Sequence, residues 1–513
     1  MQAFLERHEQ RIAGVLHGWD RLLFRGCLRS ISYAWGLENF LGASHVRYAQ
    51  FGDFAEKLSD QLKAHGQRVA ESAGRPFVYL QPGTRDKEQI ALEIARRDKI
   101  SDGLICVLRC VEVCRSFGIS RQEDGKFQFV RQNRKCLFFY FYSMDRDFGL
   151  MHVRLQTWLP FDIQICLNGR DYLAKQMERA GITFEQRDNC FTQIDDLPRA
   201  QKMMRRLEER KWAGLLNAMA RRVNPLPAKL NLFGYYWTVR ESEYATDILF
   251  RDGANLAAVY PALVDHALRQ FSCQDVMKFL GRRTDARFNG EAGANIRHRP
   301  EGMRIKHWVE ENSIKMYDKQ SSVLRVETTL NNVRRLKVRR CTRRRGKRGM
   351  HWIPMRKGIM DLPRRAEICR AANERYLQAL GVVGETSPTR QLLDPLSRRI
   401  TKKGRTGKGR AYRALRPVSP EDARVFRVVM KGEYQLKGFT NMVLRRDLWP
   451  PPHDPIERRR QSGRLTRLLR LLRAHGLIRK VSGTHNYRVS DFGHRAMTAA
   501  LRLREADVSR LAA

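Results

Sequence analysis

The charge balance constrains this chain more than any other feature of its sequence. The 513 residues include 97 lysines and arginines against 54 aspartates and glutamates, which gives a formal net charge of +43. The excess is densest from Arg334 to Lys357, where twelve of 24 residues are basic and none is acidic. A folded core cannot neutralise such a run from within, so the sequence predicts a polyanionic partner. Dense arginine suits phosphate binding driven by counterion release, which makes nucleic acid the expected partner.

The basic run supplies the first candidate binding residues. It lies inside the chain and apolar residues interrupt it, which favours a binding surface over a solvated basic segment, the alternative interpretation. Charge does not distinguish DNA from RNA, because both polymers present the same phosphates. The candidate phosphate-binding residues of the run are Arg334, Arg335, Lys337, Arg339, Arg340, Arg343, Arg344, Arg345, Lys347 and Arg348.

Length and composition predict several folded domains. A chain of 513 residues that is 42% hydrophobic can form several buried cores. No window approaches the apolar length of a membrane helix, and the N-terminus lacks the layout of a signal peptide. Its ten cysteines are therefore expected to be reduced thiols. We expect a cytoplasmic protein without a membrane partner, and no internal repeat is visible.

The local patterns predict an α+β multidomain protein. Residues 1–223 are predicted to form a mixed α/β domain with an antiparallel sheet, which includes a strand from Leu22 to Ile31 and a helix from Lys87 to Arg97. The segment Asn224-Pro225-Leu226-Pro227 marks its end. Residues 228–380 are predicted to form an α-rich central domain that contains a carboxylate cluster, a β-hairpin and the basic run. A basic linker is predicted over 381–419, because this stretch is rich in glycine, lysine and arginine.

Residues 420–513 carry the most specific fold pattern. Three helical segments precede Gly476, and two short apolar strands flank a Ser-Gly turn after it. The stretch from Leu471 to Val489 resembles the recognition helix and wing of winged-helix transcription regulators. The resemblance implies a winged helix-turn-helix domain whose third helix enters the DNA major groove while the wing contacts the backbone. It nominates Arg464, Thr466, Arg467 and Arg470 on the helix, and His485, Asn486 and Arg488 on the wing.

A first catalytic candidate is the predicted hairpin of the central domain. The Tyr317-Asp318-Lys319 turn, followed by Arg325-Val326-Glu327, is similar to a stretch of the replication initiators of rolling-circle plasmids and filamentous phages. The resemblance implies a metal-dependent nickase in which Tyr317 attacks DNA and Lys319 belongs to the same motif. Strand alternation places Arg325 and Glu327 on one face, where they would hold a phosphate and a divalent metal. A surface hairpin with an ordinary ion pair is the equal alternative.

A second catalytic candidate lies in the first domain. Alternation puts His152, Arg154 and Gln156 on one strand face, and a helix with Tyr172 and Lys175 follows. This order resembles HUH-type Rep endonucleases, which implies that His152 is a metal ligand and Tyr172 the nucleophile. The chain departs from that family, since three residues separate the two polar positions where the family has one. A helix whose tyrosine simply packs is the alternative.

A third candidate is a set of carboxylates in this basic chain. The set comprises Glu241, Glu243 and Asp247, of which the last two are four residues apart, and folding is expected to bring Glu327 to them. A bound Mg²⁺ or Mn²⁺ would relieve the repulsion among these groups, as in nucleases that use water for in-line attack. The same spacing equally permits salt bridges with Arg240 or Arg251.

Together these patterns predict a DNA-binding protein of mobile-element or replicon type. Its activity would be metal-dependent nicking or cleavage of DNA. The alternative is a non-catalytic RNA-binding or RNA-dependent DNA-binding protein, a ribonucleoprotein component whose basic run wraps on phosphates.

Overall fold

The computed structural model describes residues 1–282, 291–299, 302–344, 347–383, 390–403, 409–431, 434, 438–452, 454–481 and 484–505. They form a mixed α/β structure with two compact units. Unit 1 comprises Met1–Leu268, Phe279–Arg282 and Ala292–Gly381, and unit 2 comprises the described residues within 269–278, 283–291 and 382–513. None of the helices in these ranges combines the length and hydropathy that crossing a bilayer requires.

The strands of the structure are, in chain order, β1 (Ile12–Cys27), β2 (Phe77–Leu80), β3 (Gly103–Arg121), β4 (Phe127–Asp145), β5 (Gly149–Gln156), β6 (Ile163–Asn168), β7 (Phe184–Arg187), β8 (Cys190–Ile194), β9 (Tyr236–Phe250), β10 (Ala292–Arg299), β11 (Gly302–Val309), β12 (Asn312–Lys319), β13 (Val323–Thr329), β14 (Lys337–Arg344), β15 (Lys347–Pro354), β16 (Ile400–Lys403), β17 (Gly409–Tyr412), β18 (Ile478–Lys480) and β19 (Tyr487–Val489).

The α-helices are, in the same order, α1 (Gln2–Arg7), α2 (Ala34–Ala43), α3 (Phe51–Ser72), α4 (Lys87–Arg97), α5 (Gly169–Arg179), α6 (Leu197–Glu208), α7 (Trp212–Val223), α8 (Leu226–Lys229), α9 (Gly253–Ala257), α10 (Tyr260–Gln270), α11 (Cys273–Phe279), α12 (Leu362–Leu380), α13 (Arg390–Leu393), α14 (Pro420–Val429), α15 (Asn441–Leu448), α16 (Pro455–Ala474) and α17 (Asp491–Glu505).

An 11-stranded sheet organises unit 1, in the order β10-β11-β12-β13-β9-β1-β6-β5-β4-β3-β2. The long strands β1 and β9 pair antiparallel at its middle, with Trp19 opposite Tyr244. On each side, a long central strand is followed by helices and then by four antiparallel strands, the last of which returns to the central strand. Apart from β2, which pairs parallel with β3 at one edge of the sheet, the two halves therefore repeat one topology about the β1–β9 pair. The sequence shows no such repeat.

The sheet runs through the domain boundary that the sequence predicted at residues 224–227. Strand β9 belongs to the predicted central domain, yet it pairs with β1 along most of its length. Residues 1–223 and 228–380 therefore contribute to one sheet, and five strands of that sheet come from the region that was predicted to be α-rich. The cause is long-range pairing, which satisfies the backbone of β9 through residues more than 200 positions away.

Helices cover one face of the sheet. The side chain of Phe139 of β4 lies where a Cβ at Gly66 of α3 would stand. Asn373 of α12 donates hydrogen bonds to the Tyr244 carbonyl and to the Thr246 hydroxyl. The other face of the paired strands β9 and β13 carries polar side chains. Helix α5 and the β7–β8 hairpin contact these side chains from one side.

Unit 2 has its own core, which includes Phe426, Leu444, Leu469, Leu472 and Met497. Helices α14, α15 and α16 are followed by the β18–β19 hairpin and then by α17. This order of elements agrees with the order expected from the sequence, and the winged-helix resemblance stays a prediction. The predicted linker contains a short helix, α13, and the β16–β17 hairpin.

Gly169 provides a test of how α5 is positioned. A Cβ at this glycine would stand 1.9 Å from the Trp19 carbonyl oxygen, whereas a Cβ at Gly214 of α7 meets nothing within 4 Å. We expect Gly169→Ala to lower the free energy of unfolding by about 1–3 kcal/mol, and Gly214→Ala to raise it by up to about 1 kcal/mol. Urea unfolding measures both, and equal effects of the two changes would contradict this packing.

Candidate carboxylate site

Cross-strand register places a row of polar side chains on the face that the main helices leave uncovered. Lys306 of β11 is opposite Lys315 of β12, and Lys315 is opposite Glu327 of β13. One pair further along, Thr329 of β13 is opposite Glu243 of β9. Directly opposed residues project to the same side of a sheet, so these side chains share one surface.

Three carboxylates from three strands converge on this surface. Each of Asp20, Glu243 and Glu327 offers an oxygen, and the three oxygens lie within 4.8 Å of one another. Asp20 belongs to this group because the pairing of β1 with β9 shifts register between Trp19 and Arg21, a bulge of the kind that redirects a side chain. The side chain of Glu327 is 2% exposed and that of Glu243 is 16% exposed, so the cluster opens at Glu243.

Lys315 and Tyr317 of β12 hold two of these carboxylates. The Lys315 ammonium donates to Glu243 Oε1 at 2.8 Å and to Glu327 Oε1 at 2.6 Å. The Tyr317 hydroxyl donates to the other oxygen of Glu327, Oε2, at 2.5 Å. Both oxygens of Glu327 are therefore engaged, and its orientation is fixed.

A second group of charges lies beside the cluster. The guanidinium of Arg325 donates two hydrogen bonds to Asp247, at 2.6 and 2.9 Å, and lies 3.3 Å from Asp20. Arg170, at the start of α5, pairs with Asp247 at 2.8 Å. From the turn between β7 and β8, Asn189 donates to both oxygens of Asp20, at 3.0 and 3.2 Å. These contacts connect α5 and the β7–β8 turn to the carboxylates.

The environment separates the pKa values of the carboxylates. Burial, and then repulsion by Glu327, raises the pKa of Glu243 to about 7 against the attraction of Lys315. Burial acts in the same direction on Glu327, but Lys315, Tyr317 and Arg325 overcome it and lower that pKa to about 2. Burial also raises the pKa of Asp20. At neutral pH the cluster therefore holds one firmly ionised carboxylate beside one that exchanges a proton.

The donor set fits a hard divalent cation. Mg²⁺ prefers carboxylate oxygens and keeps several positions for water or phosphate. The three oxygens lie within 4.8 Å of one another, compared with about 4.2 Å across a magnesium octahedron. Neighbouring ligands of such an ion are only about 3 Å apart, so the three carboxylates would have to draw closer together to share it. The fit requires that the cation replace Lys315 between Glu243 and Glu327.

A buried hydroxyl and a cavity adjoin the cluster. Thr329 is 6% exposed, and its Oγ1 has no hydrogen-bond partner among the described residues. It is directly opposite both Glu243 and Ser313. Ser313, Lys306 and Trp308 line a cavity of about 200 Å³. Because Lys306 is opposite Lys315, this cavity borders the carboxylates on their open side.

The structure brings two of the predicted metal ligands together and separates the others. Glu243 and Glu327 share the cluster with Asp20. Asp247 lies in the second charge group, where both of its oxygens are engaged by arginines. The pKa of His152 falls to about 4 because of burial and then of Arg21 and Arg154, and its ring packs 5.0 Å from that of Tyr142. Its cationic surroundings oppose a bound cation.

The candidate nucleophiles are buried. Burial, followed by repulsion from Glu327, raises the pKa of Tyr317 well above its ordinary value. Tyr172 is 4% exposed and packs against Phe148, with ring centres 5.6 Å apart. Lys319 is 4% exposed and pairs with Asp188 at 2.8 Å. A tyrosine thus positioned is a poor nucleophile at neutral pH.

The candidate phosphate-binding residues divide by exposure. Arg325 was predicted to hold a phosphate. It is fully buried in its pairs with Asp247 and Asp20, so a phosphate cannot reach it. Arg340 pairs with Asp361. Arg344 and Lys347 belong to strands β14 and β15, and Arg345 lies outside the described residues. The residues that are exposed are Arg334, Arg335, Lys337, Arg339, Arg343 and Arg348 in unit 1, and Arg464, Arg467 and Arg470 in unit 2, whereas Arg488 is half-buried.

Asp20 and Lys315 were not among the site residues predicted from the sequence. Asp20 was missed because its strand was expected to begin at Leu22, whereas β1 begins at Ile12. Lys315 could have been found, since it alternates with Tyr317 on the predicted hairpin and the register places it opposite Glu327.

The raised pKa of Glu243 predicts a dependence of stability on pH. Between its ordinary value of 4.5 and about 7, the folded state keeps a proton that the unfolded state releases. Stability from this group therefore falls as pH rises through that window and is flat above it. Relative to the wild type, the free energy of unfolding of Glu243→Gln should therefore increase by up to about 3 kcal/mol as the pH rises from about 5 to about 7.5. Urea unfolding across this range tests the gain, with the exposed Glu123→Gln as control, and a constant difference would contradict it.

Comparison with known proteins does not assign this site. No protein-family model matches the chain, and neither curated proteins nor solved structures provide a match.

Proposed function

We propose that this protein binds nucleic acid and hydrolyses its phosphodiester bonds with a divalent metal held by Asp20, Glu243 and Glu327. The observation that carries the proposal is the convergence of these carboxylates within 4.8 Å, from strands β1, β9 and β13. Lys315 offsets only part of the repulsion among these carboxylates, since the pKa of Glu243 stays raised beside it, and a divalent cation would offset more. In a chain with a net charge of +43, the polyanion expected as partner also contains the bond that metal–carboxylate sites cleave.

The chain's own residues supply the remaining chemistry. A bound Mg²⁺ or Mn²⁺ would polarise a phosphoryl oxygen and acidify water. Glu243 would share the cation with Asp20 and Glu327, and the proton of the attacking water would pass to bulk water. The water oxygen would bond to phosphorus while the bond to one sugar oxygen breaks, and that oxygen would take a proton from solvent and leave as a hydroxyl group. Lys315, released from its carboxylates by the metal, would then stabilise charge on the phosphate.

Water is the proposed nucleophile instead of a tyrosine. The Tyr317 hydroxyl donates a hydrogen bond to Glu327, and the Tyr172 ring packs against Phe148. The reaction would therefore pass through no covalent phosphotyrosine intermediate. This replaces the tyrosine-based nicking that the sequence resemblances implied and keeps their requirement for a divalent metal.

Basic surfaces support nucleic acid as the substrate. The β14–β15 hairpin carries exposed Arg339, Arg343 and Arg348. DNA is the proposed polymer, because the C-terminal resemblance is to DNA-binding regulators. A DNA-cleaving protein of this charge suits a mobile element or replicon.

The second candidate function is binding without catalysis. One observation favours it: Lys315 already satisfies Glu243 and Glu327 through two short hydrogen bonds. In that case the cluster would be a structural ion-pair network. The protein would then bind RNA, or DNA through RNA, as a ribonucleoprotein component.

Cleavage of supercoiled plasmid DNA separates the two functions. We expect nicking in Mg²⁺ or Mn²⁺ that stops on chelation. Glu327→Gln should lower its rate about a hundredfold or more, since it removes an ionised metal ligand. A mobility-shift assay should show DNA binding changed by less than about twofold, because the cluster contributes little to phosphate binding.

The control for this experiment is Glu123→Gln, which removes an exposed carboxylate in the β3–β4 turn and should keep full activity. Calorimetric titration with Mn²⁺ gives a second readout that needs no substrate. Binding of Mn²⁺ that is lost in Glu327→Gln supports the metal site. Tight DNA binding with neither cleavage nor Mn²⁺ binding would overturn it in favour of the non-catalytic function.

A further inference from the structure

A cleft in unit 2 combines apolar and cationic surface in a way that a duplex-binding helix does not require. It has a volume of about 470 Å³ and lies among β17, α14, α15 and α16. Val425, Leu448, Leu468 and Leu471 give it an apolar floor. The cleft is concave, whereas a helix that reads the major groove presents a convex surface.

Arginines surround this floor. Arg464, Arg467 and Arg470 reach it from successive turns of α16, and Arg410 reaches it from β17. All four are exposed, and no carboxylate pairs with them among the described residues of unit 2. Four unneutralised guanidinium groups around one cleft make a strong site for phosphate oxygens.

Two aromatic rings complete the walls. The guanidinium of Arg464 lies 5.3 Å from the ring centre of Trp449, and that of Arg410 lies 5.8 Å from that of Tyr412. Both rings line the cleft. Proteins that bind single strands combine a cationic groove with aromatic side chains on which bases stack.

Acidic groups at the cleft are limited. Asp422 is already engaged by Arg413, at 2.8 and 3.2 Å, and by the backbone N–H of Arg416. Glu421 is exposed at the rim. Its carboxylate can accept a hydrogen bond from the amino group of a base, as glutamate does from cytosine.

We propose that this cleft binds an unpaired nucleotide of a single-stranded nucleic acid. The base lies on the apolar floor against Trp449 and Tyr412, and the phosphates contact Arg464, Arg467 and Arg470. The same arginines were assigned above, from the resemblance, to the major groove of duplex DNA. This inference does not depend on the carboxylate site, since it concerns unit 2 alone.

Photocrosslinking tests the position of the base in the full-length protein. A strand of about twelve nucleotides that contains 5-iodouracil is irradiated with the protein, and the adducts are mapped by mass spectrometry. We expect adducts on Trp449 or Tyr412. An excess of unlabelled single strand should suppress these adducts, whereas the same amount of duplex should not. Suppression by adenosine monophosphate as well would identify free nucleotide as a second source of the ligand.

Matched substitutions test whether the arginines contact the phosphates of the strand. Arg464→Gln and Arg467→Gln should each weaken single-strand binding several-fold and lower the slope of log affinity against log salt by about 0.7. Arg473→Gln, an exposed change on the same helix, is the control and should lower adduct yield little. Circular dichroism confirms that the variants are folded. Adducts absent from Trp449 and Tyr412, or equal suppression by duplex and single strand, would overturn the proposal.

Discussion

The buried pairing of Arg325 with Asp247 is the interaction on which the centre of this structure depends. The arginine is fully buried and donates two hydrogen bonds to the carboxylate, at 2.6 and 2.9 Å. Burying either charge alone costs several kcal/mol, so neither can be kept without the other. Arg170 of α5 and Asp20 of β1 complete the arrangement. One charge network therefore joins three neighbouring strands and the helix that follows the first half of the sheet.

This network also explains how a carboxylate cluster persists in the fold. Asp20 is close to Arg325 and to the amide of Asn189, while Glu327 is held by Lys315 and Tyr317. Glu243 has the weakest compensation, and its raised pKa reflects this. The cluster is thus rigid on its buried side and adjustable at Glu243. That asymmetry is what a site needs if it is to exchange Lys315 for a metal and then release a product.

Local patterns predicted local structure well and long-range pairing poorly. Helix α4 has the predicted bounds, Lys87–Arg97, because apolar spacing and helix length are properties of a short segment. The β12–β13 hairpin was likewise expected near its observed position. Strand β9 was missed, since its polar Arg240-Glu241-Ser242-Glu243 stretch shows no alternation. Its partner lies more than 200 residues away, so no local pattern could show that Asp20 meets Glu243.

The central claim is that Asp20, Glu243 and Glu327 hold a divalent metal. Crystals grown with Mn²⁺ and measured at its absorption edge test this most directly. We expect an anomalous-difference peak about 2.0–2.3 Å from an oxygen of each carboxylate, with the Lys315 ammonium displaced from between Glu243 and Glu327. Crystals that contain Mn²⁺ elsewhere but show the ammonium still bridging the two glutamates would contradict it.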